Sequence, residues 1–280
     1  MRTEGRSGVI LVTGAGGLIG GALAGRLKSE GFEVWAPDRG SGRNGGLDLE
    51  DVSSANFPGR LETAFLCAWS GGVTEAALDP ESMRRVNVEG NRELIEKLKQ
   101  RGTKVVFLST SLVFSGAVTS SSAPLSPCCV YGAQKAAVEA GLDSRHDVIV
   151  RITKVGETLL PRLAGWANML RSGGQVAAAS HLRVAPVMLE ETVEGLVGLA
   201  RNFQPGVYQM SGRQDHSYLY LAEALSAQAG GAVADDPEAG AGVFDPWPVS
   251  GRLQIEVPGC PVGWPRGLDH TQRLVQSALS

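Results

Sequence analysis

Several things this chain lacks narrow its function. Its 280 residues hold 26 Lys and Arg against 29 Asp and Glu, a net charge of −3, so no basic surface is available for nucleic acid or anionic lipid. No apolar run reaches the roughly 20 residues that a bilayer-spanning helix needs. Residues 1–8 lack the apolar core of a secretion signal. The expectation is a cytoplasmic protein with no membrane or nucleic-acid partner. Only four cysteines occur, Cys67, Cys128, Cys129 and Cys260, with no paired metal spacing. Without an export signal they read as reduced thiols, Cys67 in a strand core, Cys128 and Cys129 close enough to Tyr131 to line a pocket. The four histidines, His146, His181, His216 and His270, are scattered, and no protein-bound metal is expected.

Glycine is abundant, at 37 residues, and one cluster of it carries chemistry. The apolar run Val9-Ile10-Leu11-Val12 ends at Thr13 and opens into Gly14-Ala15-Gly16-Gly17-Leu18-Ile19-Gly20. The segment to Glu30 then places Leu18, Ala22, Leu23 and Leu27 on one helical stripe. Strand, glycine turn and helix in that order are the dinucleotide-binding context. Gly14 permits the tight turn, Gly17 lets the backbone approach a pyrophosphate, and Gly20 lets the helix pack against the strand with its first amides facing phosphate. The next strand, residues 32–37, ends in Asp38, about twenty residues past the turn, where a carboxylate accepts adenosine ribose hydroxyls and favours NAD over NADP. Two alternatives stay open: Asp38 as a solvated turn residue, and Arg39 or Arg43 as the grip for a 2'-phosphate.

Further strands are expected at residues 63–68, 104–108 and 147–152, each after a helix-like segment, the alternation of a parallel sheet. The clearest helix spans 81–101, with Met83, Val86, Gly90, Leu94 and Leu98 at helical spacing. Asn87 interrupts its inner face, either satisfied by neighbouring backbone or part of a relay beneath an active site. After the strand at 104–108 come Ser109-Thr110-Ser111, hydroxyls at the carboxyl end of a parallel strand, where open α/β sheets bind ligands. Their ordinary role would be bonding to the local backbone. Downstream, Tyr131 and Lys135 stand four residues apart and share a helix face. A free phenol titrates at about 10, and a neighbouring positive charge lowers that value. The pair is therefore a possible acid/base.

These residues together resemble a known family. The turn T-G-A-G-G-L-I-G, Asp38, Asn87 in V-N-V-E-G-N, the strand exit S-T-S-L-V-F-S-G and the Y-G-A-Q-K helix are similar to the extended short-chain dehydrogenase/reductases. The nearest branch is the dTDP-4-dehydrorhamnose reductase-like sugar-nucleotide enzymes, whose S-T-D-Y-V-F-x-G motif is matched here by S-T-S-L-V-F-S-G. Val150-Arg151-Ile152-Thr153 and the segment from Gly206 to Gly212 resemble later landmarks, but past Ile152 the likeness thins.

The resemblance implies an α/β fold, a Rossmann-type doubly wound parallel sheet with a smaller C-terminal substrate-binding lobe, and an NAD(P)-dependent oxidoreductase, with NAD favoured. Tyr131 would exchange a proton with a sugar oxygen while hydride moves to or from nicotinamide. Lys135 would hold the nicotinamide ribose and lower the Tyr131 pKa. Thr110 would bond the same substrate oxygen, with Ser111 as substitute if the register shifts by one, and Asn87 would support a relay behind Lys135. Cofactor contacts would include Gly14, Gly17, Leu18, Ile19 and Gly20 in the turn, Asp38, Arg39 and Asp48 near the adenosine, and Cys67 and Ala68 at a strand end. The implied substrate is a nucleotide-linked keto-sugar reduced at C4. An epimerase of the same family and a non-catalytic NAD(P)-binding regulator are the alternatives.

This sequence also departs from the pattern. Ser111 and Leu112 stand where 4,6-dehydratases carry acidic residues, which disfavours dehydration. The segment 116–124, which the reductase branch makes acidic and aromatic, is short and has no carboxylate; it serves either a different substrate or as a plain linker. Residues 1–155 are expected to form the NAD(P)-binding domain and 156–280 mainly the substrate lobe, with the stretch around 190–212 returning to the first. Helices are expected at 159–171 and 190–201 and a strand at 207–211. Arg183 is a possible grip for the substrate diphosphate or an ordinary surface arginine. Residues 230–248, with Phe244 and Trp247, form either a lid or a connector. An isologous homodimer is the default assembly.

Overall fold

Alternation along the strands decides the architecture. In β1 (Val9–Thr13) Ile10 and Val12 join one apolar cluster, whereas Leu11 joins another on the opposite face. A strand buried on both faces needs helices above and below it. The computed structural model describes residues 8–39, 46–116, 118–245, 251–255, 264 and 267–280; Arg43, Trp247 and Cys260 lie outside them.

After β1 come α1 (Leu18–Ser29), β2 (Val34–Trp35), β3 (Leu61–Leu66), α2 (Val73–Leu78), α3 (Pro80–Arg84), α4 (Asn91–Gln100), β4 (Lys104–Thr110), α5 (Val130–Glu139) and β5 (Val148–Ile152). The second half adds α6 (Leu160–Arg171), β6 (Gln175–Ala178), β7 (Arg183–Val184), α7 (Leu189–Arg201), β8 (Gly206–Met210), β9 (His216–Ser217), α8 (Tyr218–Ala229), β10 (Ala232–Asp235) and α9 (Thr271–Leu279). Six strands form one parallel sheet in the order β2-β1-β3-β4-β5-β8. The chain leaves β1 towards β2 and returns on the other side at β3, so a topological switch point lies between β1 and β3. The sheet is of the Rossmann type expected.

On one face of the sheet Leu23, Leu27, Val193 and Leu196 of α1 and α7 pack against Ile10, Phe65 and Val106. On the other, Leu94, Leu98 and Val138 of α4 and α5 meet Leu11, Leu66 and Phe107. A separate core joins α6, α8 and α9 through Leu163, Leu225 and Leu274, beside the parallel pair β6–β10 and the antiparallel pair β7–β9. Residues 232–235 are thus a strand, and the backbone N–H of Asp245 donates to the Cys128 carbonyl at 2.9 Å, bringing this segment against the start of α5.

Two local expectations change. The strand at 32–37 shrinks to Val34–Trp35. The helix at 81–101 is interrupted by a π-helical turn, Arg85–Gly90, with Asn87 inside it. The insertion resets the face between α3 and α4, so Met83 and Leu94 no longer belong to one continuous stripe; such turns often mark functional positions.

The start of α5 is fixed by close packing. Gly132 lies so near the turn after β4 that an added Cβ would run into the Leu112 carbonyl oxygen, while Ser126 N–H donates to Val113 at 2.9 Å. Gly132→Ala is expected to lower stability by about 1–3 kcal/mol, the usual cost of overpacking, measured by urea unfolding. An unchanged midpoint would show that α5 can back away from this turn.

Candidate active site

A cleft of about 460 Å³ opens at the carboxyl ends of β1 and β3, at the switch point. Residues 13–17, 37–39, 47–49 and 67–71 line it, with Val86. Of the expected cofactor contacts, Gly14, Gly17, Asp38, Arg39, Asp48, Cys67 and Ala68 lie in this wall. Leu18, Ile19 and Gly20 stand behind it in the first turn of α1. Gly14 has φ +70°, and a Cβ there would sit 2.8 Å from Ala68 N; at Gly20 a Cβ would strike the Gly14 carbonyl oxygen. At Gly16 a Cβ would meet nothing, so that position faces open space. Gly17 caps α1 without a side-chain bond, and the first turn holds no acidic residue. Its amides are left for an anion, and this glycine cradle fits a dinucleotide diphosphate. Thr13, which the sequence reading passed over, accepts from Ala68 N–H at 3.0 Å and ties the two strand ends together.

Arg39 is not a free cation. Its guanidinium lies 3.7 Å from Asp48 and 3.3 Å from Glu50, so among the described residues the wall near Asp38 carries more negative than positive charge.

The Tyr131–Lys135 pair stands on α5 beside this cleft, and Trp69 joins the two. Trp69 lines the cleft, meets the Tyr131 ring edge-on at 5.8 Å and covers the Lys135 ammonium, with Nζ 3.7 Å from its ring centroid. Lys135 is buried and donates to the Leu108 carbonyl at 2.6 Å. Burial pulls its pKa down to about 7, against the opposing pull of Cys67 and Glu139. Burial, with Cys129 adding to it, pushes the Tyr131 phenol up to about 12. The expected lowering of the Tyr131 pKa by Lys135 is therefore absent: an ammonium that is itself half-deprotonated near neutrality offers the phenol little charge. Burial also raises Cys67 to about 12. Cys129 caps α5, its sulfur accepting from Gly132 N–H at 3.4 Å.

Thr110 and Ser111 lie where α5 presses on the strand exit. Thr110 Oγ1 accepts from Leu112 N–H at 3.3 Å, the local role weighed above, yet its own O–H proton stays available. Ser111 opens the short turn Ser111–Val113 and is partly exposed. Ser109 points the other way, donating to Glu139 Oε1. Beneath them Arg151 and Glu139, both buried, form a forked ion pair at 2.7 and 3.1 Å, and Arg151 also donates to the Ser121 carbonyl at 2.9 Å. This pair anchors the serine-rich segment, and single-residue sequence patterns give no sign of it.

Asn87 is engaged elsewhere. Its amide accepts from Ser70 N–H at 2.8 Å and donates to the Ser70 carbonyl at 2.9 Å and to Gln134 at 3.2 Å. That is the structural role; the bonds of its side chain run to the cleft wall at Ser70, not to Lys135. Arg183, on β7, is bound to Asp215 through its carboxylate at 3.2 Å and its carbonyl at 3.0 Å, so it is committed within its own lobe. Two further cations neighbour one another past the end of β5, Lys154 just beyond that strand and Arg162 of α6. Arg162 lies over the Tyr218 ring at 5.2 Å, and burial followed by Arg162's charge draws Lys154 below the usual lysine range. Among the described residues neither is ion-paired.

A family model described as the NAD dependent epimerase/dehydratase family matches residues 10–149, half of the chain. The chain belongs to this family. Within it, a dTDP-4-dehydrorhamnose reductase of Streptomyces griseus is 36% identical over 135 residues, 46% of this chain and 43% of that protein. The match thus spans less than half the length of that relative. Across the family's fold, a dTDP-4-dehydrorhamnose reductase from Bacillus anthracis, solved with NADP, superposes with a TM-score of 0.76 at 19% identity, covering 96% of this chain and 98% of its own. A UDP-glucose 4-epimerase from Thermotoga maritima, solved with UDP-glucose, gives 0.76 at 17% identity, covering 96% and 97%. At those identities the likeness is one of fold. No helix among the described residues is long and apolar enough to cross a membrane.

Because folding lowers the Lys135 pKa from 10.5 to about 7, the unfolded chain binds the proton more tightly between those values. Stability from this residue therefore grows as pH rises from about 7 towards 10.5 and is lost as pH falls through about 7. Relative to Lys135→Met, the wild-type protein is expected to gain stability over that interval in denaturant titrations. Parallel curves for the two proteins would contradict the burial argument.

Proposed function

We propose that this protein is an NAD(P)-dependent oxidoreductase that reduces a keto group, at C4, of a nucleotide-linked sugar. The observation that carries the reading is the meeting, through Trp69, of a glycine-cradled cleft with the half-buried Tyr131 and the buried Lys135. A bound nicotinamide dinucleotide supplies the hydride; the chain supplies position and the proton. Glycines 14 and 17 and the α1 amides would take the diphosphate, and Asp38 the adenosine ribose. Thr110 O–H would orient the sugar carbonyl, and Tyr131 O–H would give its proton to the same oxygen, converting C=O to CH–OH. Lys135 would hold the nicotinamide ribose. A phenol raised to about 12 holds its proton at neutral pH, as a donor to the sugar oxygen must.

The substrate's diphosphate would find Lys154 and Arg162 rather than Arg183. Ile152 pairs with Thr110 in the sheet register, so Lys154 follows two residues later, about 7 Å further along the strand direction. Two neighbouring cations without a carboxylate partner repel one another until an anion sits between them.

The test is NADH or NADPH oxidation with dTDP-4-dehydrorhamnose and other nucleotide keto-sugars. Tyr131→Phe is expected to lower kcat by about 10²–10⁴-fold, the usual range for removing a general acid, with dinucleotide binding kept. Unchanged turnover in that variant would remove Tyr131 from the chemistry, and binding without turnover on any such sugar would leave the regulator reading.

For the cofactor, Arg39 is paired with Asp48 and Glu50, and Asp38 lies in the same wall, so among the described residues this end of the cleft disfavours a 2'-phosphate. NADH is expected to raise the melting temperature more than NADPH at equal concentration. The reverse order would mean that Arg39 leaves its carboxylates for the phosphate.

A further inference from the structure

Lys135 has three N–H groups to place. The Leu108 carbonyl takes one at 2.6 Å. The Trp69 indole closes another side at 3.7 Å, and the Phe107 ring lies 4.8 Å away. A carbonyl and two aromatic rings thus lie about the ammonium, and of these three neighbours Trp69 is the one that also lines the cleft. The same indole holds its Nε1 buried with no hydrogen-bond partner among the described residues, a donor whose isolation is unfavourable. Trp69 is in contact with the cleft on one side and with Tyr131 on the other, so movement of this one ring would be felt in both.

We propose that Trp69 is a positioning residue that caps Lys135 and gives way to the dinucleotide, whose ribose oxygens take over the ammonium. The inference rests on the reading of the cleft as a dinucleotide site. Before the ligand arrives, the electron-rich indole face supports a buried cation that has one hydrogen-bond acceptor among the described residues. After it arrives, charge-assisted hydrogen bonds from hydroxyls replace that weaker contact, and the indole N–H is released from its isolation. The cap has a cost: the binding-competent state is only part of the empty population, so apparent affinity is reduced by that fraction. An indole that merely formed the cleft wall would act in the opposite sense, adding affinity by packing on the ligand.

The two roles separate in a calorimetric titration of wild type, Trp69→Ala and Trp69→Phe. The ligands are whichever of NAD⁺ and NADP⁺ binds wild type better, and ADP, which has no nicotinamide ribose. The cap predicts that Trp69→Ala binds the full dinucleotide about three- to tenfold more tightly, the worth of an ammonium–aromatic contact. ADP affinity should stay within about twofold of wild type, since ADP never reaches Lys135. Trp69→Phe, with a smaller aromatic face, should fall between, and it carries the test alone if Trp69→Ala does not fold. The turnover number of Trp69→Ala should fall even as its dinucleotide affinity rises, because Tyr131 loses its edge contact. Dinucleotide binding that weakens or stays the same in both variants overturns the cap while leaving the cleft reading in place. Failure of all three proteins to bind any nicotinamide dinucleotide overturns the cleft reading, and the cap with it.

Discussion

A buried ammonium has to be held from several directions, and Lys135 collects its neighbours from across the fold. Its nitrogen bonds the end of β4 through the Leu108 carbonyl and lies against Trp69 from the exit of β3. It also feels the charge of Glu139, one turn further along its own helix. Taking a charge out of water is costly unless such partners are supplied. The requirement fixes where α5 docks, and α5 in turn fixes Tyr131. Gly132, between the two residues, lets the helix settle on the turn that carries Thr110 and Ser111. Tyr131, Lys135 and the hydroxyls of Thr110 and Ser111 thus belong to one packing arrangement.

The electrostatics divide along the same lines. The cleft wall has glycines and open helix amides where a diphosphate would lie and carboxylates where a ribose would lie. The site beside it is nearly dry, which raises the phenol and lowers the amine. Both shifts favour neutral forms, the phenol holding its proton and the amine giving its proton up near neutrality.

What could be read from the sequence was what is local. The glycine turn shows because strand, turn and helix follow one another within about twenty residues, and Gly14 and Gly20 prove to be demanded by close approach. Tyr131 and Lys135 show because helical spacing places them on one face. The continuous apolar run of β1, and strands that alternate with helix-like segments, show a parallel sheet. Residues whose roles depend on distant partners were not legible. Asn87 is decided by Ser70 and Gln134, Arg183 by Asp215, and the π-helical turn by how Arg85–Gly90 fits its surroundings. Trp69 was missed although it directly follows Cys67-Ala68; nothing in the chain nearby says that it will meet a lysine 66 positions later. Arg151 and Glu139 were invisible for the same reason.

The central claim is that hydride passes to a sugar carbon beside Tyr131 and Lys135, and isotope transfer addresses it most directly. Reduced cofactor deuterated at C4 of the nicotinamide, incubated with the protein and a nucleotide keto-sugar, is predicted to leave deuterium on the former carbonyl carbon of the product, seen by NMR. Wild-type protein should transfer the label and Tyr131→Phe should do so far more slowly. A cofactor that binds tightly but never gives up its deuterium to any such sugar would contradict the account.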